Sequence, residues 1–231
     1  GYEDDLLPVA VIARDTVGAK SISNATVRVG PPSSSVDAVE NGVNMASSAL
    51  ASGDEDAALV LVAASSSVLT LAFESSSDDD AATDVEALRG SLLKVTAKVA
   101  KGITTTTAVD SGMSVLDALS SAAPSQYSPS NQWATVDVVK TLANHSIRLG
   151  RISSSGSASA ISATSNAVGA GLLRSRLPNA TDHVENTLQT LKQAIAADLV
   201  SGEDPVTTVG EEVGITSFVF DQTLLDSGDL A

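Results

Sequence analysis

Apolar residues recur with two different periods along this chain of 231 residues. Near both ends they alternate with polar residues, which is the period of a half-buried strand. Between residues 33 and 202 they recur every three or four positions, which is the period of an amphipathic helix. The pattern predicts a mainly α protein: a bundle of about six or seven helices, flanked by partial β-sandwich strands at both ends.

The alternating stretches predict two hairpins. Residues 7–15 and 24–31 read as paired strands, with turn residues between them and Pro31-Pro32 ending the sheet. Residues 205–209 and 215–220 read as a second pair. An isolated hairpin is only marginally stable in water, so we expect both pairs to be edges of larger sandwiches and the chain to be a segment of a longer protein.

Capping residues predict where the first helices begin and end. Ser34 or Ser35 caps a helix that ends near Gly53, and Asp54 caps the next. The run 59–62 is also compatible with a strand, because Leu and Val favour both structures. Residues 75–80, rich in Ser and Asp, are predicted to form an exposed loop.

Two capping boxes predict further helix starts. The box at 83–86 opens a helix that ends at Gly102, and the box at 182–185 opens a helix that ends at Gly202. Each of these helices carries an apolar stripe at helical spacing. The stripes are Val85, Leu88, Leu92, Val95 and Val99, and then Val184, Leu188, Leu191, Ile195 and Leu199.

Three further helices are predicted between those two helices. After a Thr-rich linker, residues 113–122 form a short helix stopped by Pro124. Ser128 and the proline after it open a helix that ends at Gly150. A further helix covers about 158–173. The domain boundaries that follow are 1–32 for closing strands of one sandwich, 33–202 for a helical domain and 203–231 for the first strands of another sandwich.

Composition restricts the possible partners. The net charge is −15 and aromatic residues make up 3% of the chain. Nucleic-acid binding and anionic membranes both require clustered Lys and Arg, so neither is expected. The longest apolar run, 57–64, is shorter than the ~20 residues of a membrane helix, and we predict no direct membrane insertion by this segment.

Acidic residues cluster at 3–5, 54–56, 78–80 and 203–204. Solvated loops and helix starts explain these clusters, because acidic side chains favour helix N-termini. A calcium site is the alternative, since calcium takes several carboxylate oxygens. No cluster has the regular ligand alternation of a calcium-binding loop.

The chain offers little material for catalysis. It has two histidines, His145 and His183, and no cysteine. No Gly-x-Ser-x-Gly or phosphate-binding sequence occurs, and Gly169-Ala-Gly171 lacks the third glycine of a dinucleotide fingerprint. We therefore predict a non-enzymatic protein with no catalytic residue, cofactor or metal site.

Three Asn-x-Ser/Thr sequences are candidate N-glycosylation sites, at Asn24, Asn144 and Asn179. Roughly two such sequences are expected by chance in a chain this rich in Ser and Thr. Asn179 precedes a predicted helix, Asn24 lies at a strand edge and Asn144 lies near a helix end.

The order of elements resembles a known family. The strands at 9–32 resemble the end of a PKD or fibronectin-like repeat. Ala87-Leu-Arg-Gly-Ser-Leu-Leu93 is similar to an Arg-x-x-Leu-Leu helix of the receptor-for-egg-jelly (REJ) region in polycystin-1-like proteins. The segment 115–130 resembles that region's step from a proline to a helix opened by Ser-Pro. Leu199-Val-Ser-Gly-Glu-Asp-Pro-Val206 looks like the entry to a GAIN β-sandwich.

This resemblance implies a function and a location. The chain would be an extracellular spacer and docking segment of a polycystin-1-like or REJ-containing protein at a cell or ciliary surface. Its partners would be neighbouring domains of its parent chain, and a channel subunit or a ciliary surface glycoprotein. The His-x-Ser/Thr cleavage triplet of the family is missing, since His145-Ser146 lies on a predicted helix, so no cleavage activity is implied.

Two alternatives stay open. The chain is also similar to the GAIN module of an adhesion-type signalling receptor without its cleaved half. A triplet and two cysteine pairs downstream of Ala231 would favour that assignment. A cytosolic or bacterial surface helical protein without such kinship is the weaker alternative.

Overall fold

A computed structural model describes residues 5–14, 20–29, 34–75, 79–175, 177–199 and 206–217. The chain divides into two compact units, Gly1–Ser34 and Ser35–Ala231. The first unit contains two antiparallel strands, β1 (Asp5–Arg14) and β2 (Lys20–Val29). They pair along their whole length, with Asp5 opposite Val29 and Arg14 opposite Lys20. The predicted N-terminal hairpin is therefore confirmed.

The second unit is mainly helical, as predicted, and its described part contains seven α-helices. Single 3₁₀ turns follow α4 and α6, at Pro124–Gln126 and Leu172–Arg174. The helices are α1 (Ser35–Ala51), α2 (Glu55–Ser75), α3 (Asp79–Gly102), α4 (Thr106–Ser121), α5 (Pro129–Leu149), α6 (Ser154–Gly169) and α7 (Ala180–Ala196).

Aliphatic side chains form the core of the bundle. Helix α1 packs on α2, α4 on α6, and α5 on α7, while α3 contacts α1, α2, α4 and α5. Burying each large aliphatic side chain contributes about 1.5–3 kcal/mol before chain entropy is subtracted. The largest fully buried aliphatic side chains include Leu69, Leu92, Leu116, Leu142 and Leu191.

Several predicted caps are confirmed at atomic detail. The carboxylate of Asp54 accepts a hydrogen bond from the amide of Ala57 at 2.9 Å, which caps α2. The hydroxyl of Ser128 accepts from Asn131 N at 3.4 Å at the start of α5. Gly150 ends α5 with a φ of 71°, a left-handed conformation that glycine adopts without steric cost. The ambiguous run 59–62 is helical, since it lies within α2.

Both predicted capping boxes are wrong. Residues 83–86 lie inside α3, which begins at Asp79, and residues 182–185 lie inside α7, which begins at Ala180. At 83–86 the box pattern was misleading because Glu86 has partners on another helix, described below. Helix α7 also ends at Ala196, before the predicted Gly202.

Other predicted boundaries shift by a few residues. The loop predicted at 75–80 is helical at both ends, because α2 runs to Ser75 and α3 begins at Asp79, and its middle at 76–78 lies outside the described residues. The helix predicted at 113–122 begins at Thr106, because the Thr105 hydroxyl accepts from the Ala108 amide at 3.2 Å. The helix predicted at 158–173 is α6, and its N-cap is Ser153.

Helix α2 is long and apolar enough to cross a membrane, by length and composition alone. No uninterrupted apolar run in the sequence indicates this, because Ser65-Ser-Ser67 breaks the run. A core helix of a soluble bundle passes the same test, and Leu59, Val62 and Leu69 of α2 belong to the core. Even so, only 44% of the apolar stretch is buried.

A second hairpin packs on the bundle. Strands β3 (Val206–Val209) and β4 (Gly214–Ser217) are antiparallel and contact α6 and α7. The Glu212 amide donates to the Ser165 hydroxyl of α6 at 2.7 Å, and Ile215 is buried. Within the described residues this hairpin belongs to the helical unit, and a sandwich continuing from it stays a prediction.

Some predicted features lie outside the described residues. They are the first hairpin's turn at 15–19, Pro31 and Pro32, the acidic residues at 203–204, Gly202, Pro205 and the strand end at 218–220.

Candidate functional site

Arg89 is the most unusual residue of the described core, because it is a charged side chain with no solvent exposure. Burying an unpaired charge is very costly, so its surroundings have to compensate. The guanidinium forms an ion pair with Glu86 at 3.0 Å, one helical turn earlier, and donates to the carbonyl of Ala122. Burial lowers the pKa of Arg89, while the charge of Glu86 opposes that shift.

Two aromatic rings enclose the same guanidinium. Its central carbon lies 4.6 Å from the ring centroid of Phe73 on α2 and 4.8 Å from that of Tyr127, before α5. Such cation–π contacts are strongest where water is excluded. Arg89 therefore joins α2, α3, the end of α4 and the start of α5 through one buried group.

Glu86 extends this cluster to the first turn of α5. Its Oε1 accepts hydrogen bonds from the Ser128 amide at 2.8 Å and from Asn131 Nδ2 at 2.7 Å. Asn131 Nδ2 also donates to the backbone carbonyl of Glu86 at 3.1 Å. A glutamate that accepts from the N-cap amide normally belongs to the same helix. Here Glu86 of α3 supplies that bond to α5.

Tyr127 and Gln132 complete the cluster. The Tyr127 hydroxyl shares a hydrogen bond with the Thr135 hydroxyl, and burial raises the pKa of Tyr127 well above its usual range. Gln132 Nε2 donates to the carbonyl of Tyr127, and to that of Ala170 beyond α6 at 3.3 Å. We call Glu86, Arg89, Tyr127, Asn131 and Gln132 the arginine cluster.

The arginine cluster is suited to holding elements together. Arg89 is paired with Glu86, the rings of Phe73 and Tyr127 that lie against it are buried, and the cluster contains no activated nucleophile. Two of the segments that carry the family resemblance, 87–93 and 115–130, meet here, since the first contains Arg89 and the second contains Ala122, Tyr127 and Ser128.

The two histidines lie on different helices and have different surroundings. The ring of His183 on α7 stacks on that of Trp133 on α5, with centroids 4.0 Å apart, and its Nε2 has no hydrogen-bond partner. Burial lowers the pKa of His183, which Asp137 opposes. His145 on α5 bonds to Arg148, and burial and that positive charge lower its pKa. Among the described residues, no three His, Asp or Glu side chains are placed to hold a metal ion.

The three candidate glycosylation residues differ in accessibility. Asn179 is exposed at the N-cap of α7 with a φ of 60°, and Thr181 of its sequence is also exposed. Asn144 is exposed on α5, but Ser146 is fully buried and donates to the carbonyl of Leu142 at 3.3 Å. Asn24 lies in β2 opposite Ala10, and its side chain is outside the described part.

A groove of about 800 Å³ runs between α2 and α4. The sequence did not reveal it, because the two walls are distant along the chain and many of their residues are Ala or Ser. Its apolar residues include Leu59, Val60, Ala63, Val115 and Ala118.

No family model, curated protein or solved structure matches the chain. The resemblance to REJ regions therefore stays a prediction, and the contacts above are the basis for proposing a function.

Proposed function

We propose that this chain is a non-enzymatic extracellular segment of a polycystin-1-like or REJ-containing surface protein, acting as a spacer and docking surface. The observation that carries the proposal is the arginine cluster. The two segments that resemble that family, 87–93 and 115–130, contribute side chains to one buried set of contacts.

The contacts of the helical unit support a spacer role. Arg89 and Glu86 tie α2, α3, α4 and α5 together, and Gln132 adds the end of α6. The β3–β4 hairpin is bonded to α6 through Ser165 and to α7 through the Lys192 carbonyl, which accepts from the Ser217 hydroxyl at 3.4 Å. Buried polar networks of this kind resist sliding between helices, because displacement leaves charged or polar groups unpaired.

Glycosylation of Asn179 tests the extracellular part of the proposal. The chain is directed into the secretory pathway of a eukaryotic cell, and the intact mass of secreted protein is measured before and after enzymatic removal of N-glycans. We expect a glycan that Thr181→Ala abolishes and Thr181→Ser retains, because both substitutions leave Asn179 and its left-handed backbone unchanged.

Retention of folded chain inside the cell, or secretion with the mass of the bare polypeptide, would contradict the extracellular assignment. The arginine cluster would be unaffected by that outcome, so the test separates location from fold.

A further inference from the structure

We propose that the groove between α2 and α4 binds a helix of a partner protein that carries an apolar stripe with Lys or Arg on both sides of it. This inference deepens the docking role proposed above by naming the chemistry of the partner. It does not depend on the extracellular assignment.

The groove exposes apolar surface that the bundle leaves uncovered. Val60 on its α2 wall is 67% exposed, and Leu71 further along the helix is 56% exposed. More than half of the apolar stretch of α2 is unburied. Exposed apolar surface of this extent, beside acidic residues, is typical of interaction sites.

The shape of the groove suits a helix. Its lining on α2 extends from Asp56 to Ser67, which is about three turns and about 17 Å of helix. Ala and Ser form half of each wall, so a partner backbone can approach closely, as in helix-in-groove recognition. The small wall residues are Ala63, Ser66, Ser67, Ala108, Ser111, Ser114 and Ala118.

The acidic surroundings of the groove favour a partner with Lys or Arg beside its apolar stripe. Helices α1, α2 and α4 contain no Lys, Arg or His, and both charged residues lining the groove, Asp56 and Asp110, are acidic. The basic residues of the described helices lie on α3, α5 and α7. Complementary charge favours association and excludes acidic competitors. The acidic residues of α1, α2 and α4 are Asp37, Glu40, Glu55, Asp56, Glu74, Asp110 and Asp117.

The same charges disfavour two other occupants. If a second copy of the chain paired its α2 with this α2, like charges would meet. Parallel pairing would bring Asp56 against Asp56, and antiparallel pairing would bring Asp56 against Glu74. A lipid surface would meet exposed carboxylates at both ends of α2. Insertion of α2 itself would withdraw Leu69 and Phe73 from the core, and the bundle would lose their packing.

A pair of synthetic peptides tests the proposal with the full chain. Both are helical peptides of about 20 residues with Leu and Ala on one face. One has Lys on both flanks of that face, and the other has Glu. Fluorescence anisotropy measures binding, and backbone amide NMR shifts locate it. We expect the Lys peptide to bind at α2 and α4 with micromolar affinity, weakening as salt is raised, and the Glu peptide to bind at least tenfold more weakly.

Two matched substitution pairs locate the site. Ala63→Gln places a larger neutral side chain in the groove and should weaken binding of the Lys peptide about tenfold. Ala158 is an exposed alanine of α6, and Ala158→Gln should leave that binding unchanged. Asp56→Lys should weaken binding of the Lys peptide about fivefold and strengthen binding of the Glu peptide. Glu185→Lys on α7 should change neither affinity. A loss of folding cannot produce that exchange of preference.

Several results would overturn the proposal. Equal affinity for both peptides would show that charge does not select the partner. Unchanged affinity of the Ala63→Gln variant for the Lys peptide would exclude the groove as the binding site. Concentration-dependent dimerisation blocked by Ala63→Gln would assign the groove to a second copy. Binding to phosphatidylcholine vesicles in place of the Lys peptide would assign it to a lipid surface.

Discussion

At the scale of single residues, Arg89 contributes to the fold through a charge placed on the buried side of α3. Val85 and Leu92, one turn before and one turn after it, are fully buried, and so is Arg89. The stripe predicted from the sequence passes through Leu88 and is unbroken, so it did not indicate that Arg89 is buried. Its partners were not predictable, because Phe73, Ala122 and Tyr127 are distant along the chain.

Removing this charge should destabilise the protein strongly. Arg89→Met leaves the Glu86 carboxylate without its positive partner, and we expect a loss of about 3 kcal/mol in the free energy of unfolding. Urea denaturation measures it. Adding Glu86→Gln to Arg89→Met should restore part of the loss, because no unpaired charge remains and Gln still offers an oxygen to Ser128. Wild-type stability of the single variant would show that the ion pair is dispensable.

The histidines make stability depend on pH. Burial lowers the pKa of His183 and of His145 below the ordinary value, so folding favours their neutral rings. Their contribution is complete above about pH 6.5, and it is lost as the pH falls through that value toward the lowered pKa values. We expect the urea midpoint of unfolding to decrease as the pH is lowered from 7 to 5.5. The fluorescence of Trp133, the only tryptophan, measures that midpoint.

A variant isolates the histidine part of that pH dependence from the carboxylates. His183→Phe with His145→Asn keeps a ring against Trp133 and removes both titrating groups. Its urea midpoint should fall less over the same interval. An identical slope in the variant and the wild type would assign the pH dependence to other groups.

At the scale of elements, capping residues placed most helix ends correctly and tertiary partners explain the exceptions. Ser128 and Gly150 bound α5 as predicted, since the hydroxyl cap and the left-handed glycine act within the helix itself. Glu86 was misassigned because its carboxylate caps α5 from α3. A local pattern cannot distinguish these two uses of a glutamate, because both satisfy an N-cap amide.

Gly90 on α3 tests this contact between helices. Gly→Ala in a helix interior normally stabilises by about 1 kcal/mol. Here a Cβ would lie 2.9 Å from Oδ1 of Asn131, whose amide is bonded to Glu86. We therefore expect Gly90→Ala to destabilise the wild type and to stabilise an Asn131→Ala background by about 1 kcal/mol. Thermal unfolding of the four proteins measures the coupling, and equal effects in both backgrounds would refute the contact.

At the scale of the whole molecule, charge is divided unevenly between the helices of the bundle. The charged residues of α1, α2 and α4 are all acidic, while α3, α5 and α7 also carry Lys or Arg. The net charge of −15 was visible in the sequence and argued against nucleic-acid binding. That the acidic helices α2 and α4 also enclose an apolar groove was not visible, because the groove exists only once they pack side by side.

The sequence by itself determined the helical class, both hairpins and the caps at Asp54, Ser128 and Gly150, because periodicity and capping depend on residues a few positions apart. The tertiary structure alone decided that Glu86 caps another helix, that Arg89 is enclosed by two rings, and that α2 and α4 form a groove. These features join residues that are distant along the chain, and their energies come from burial and pairing that only packing creates.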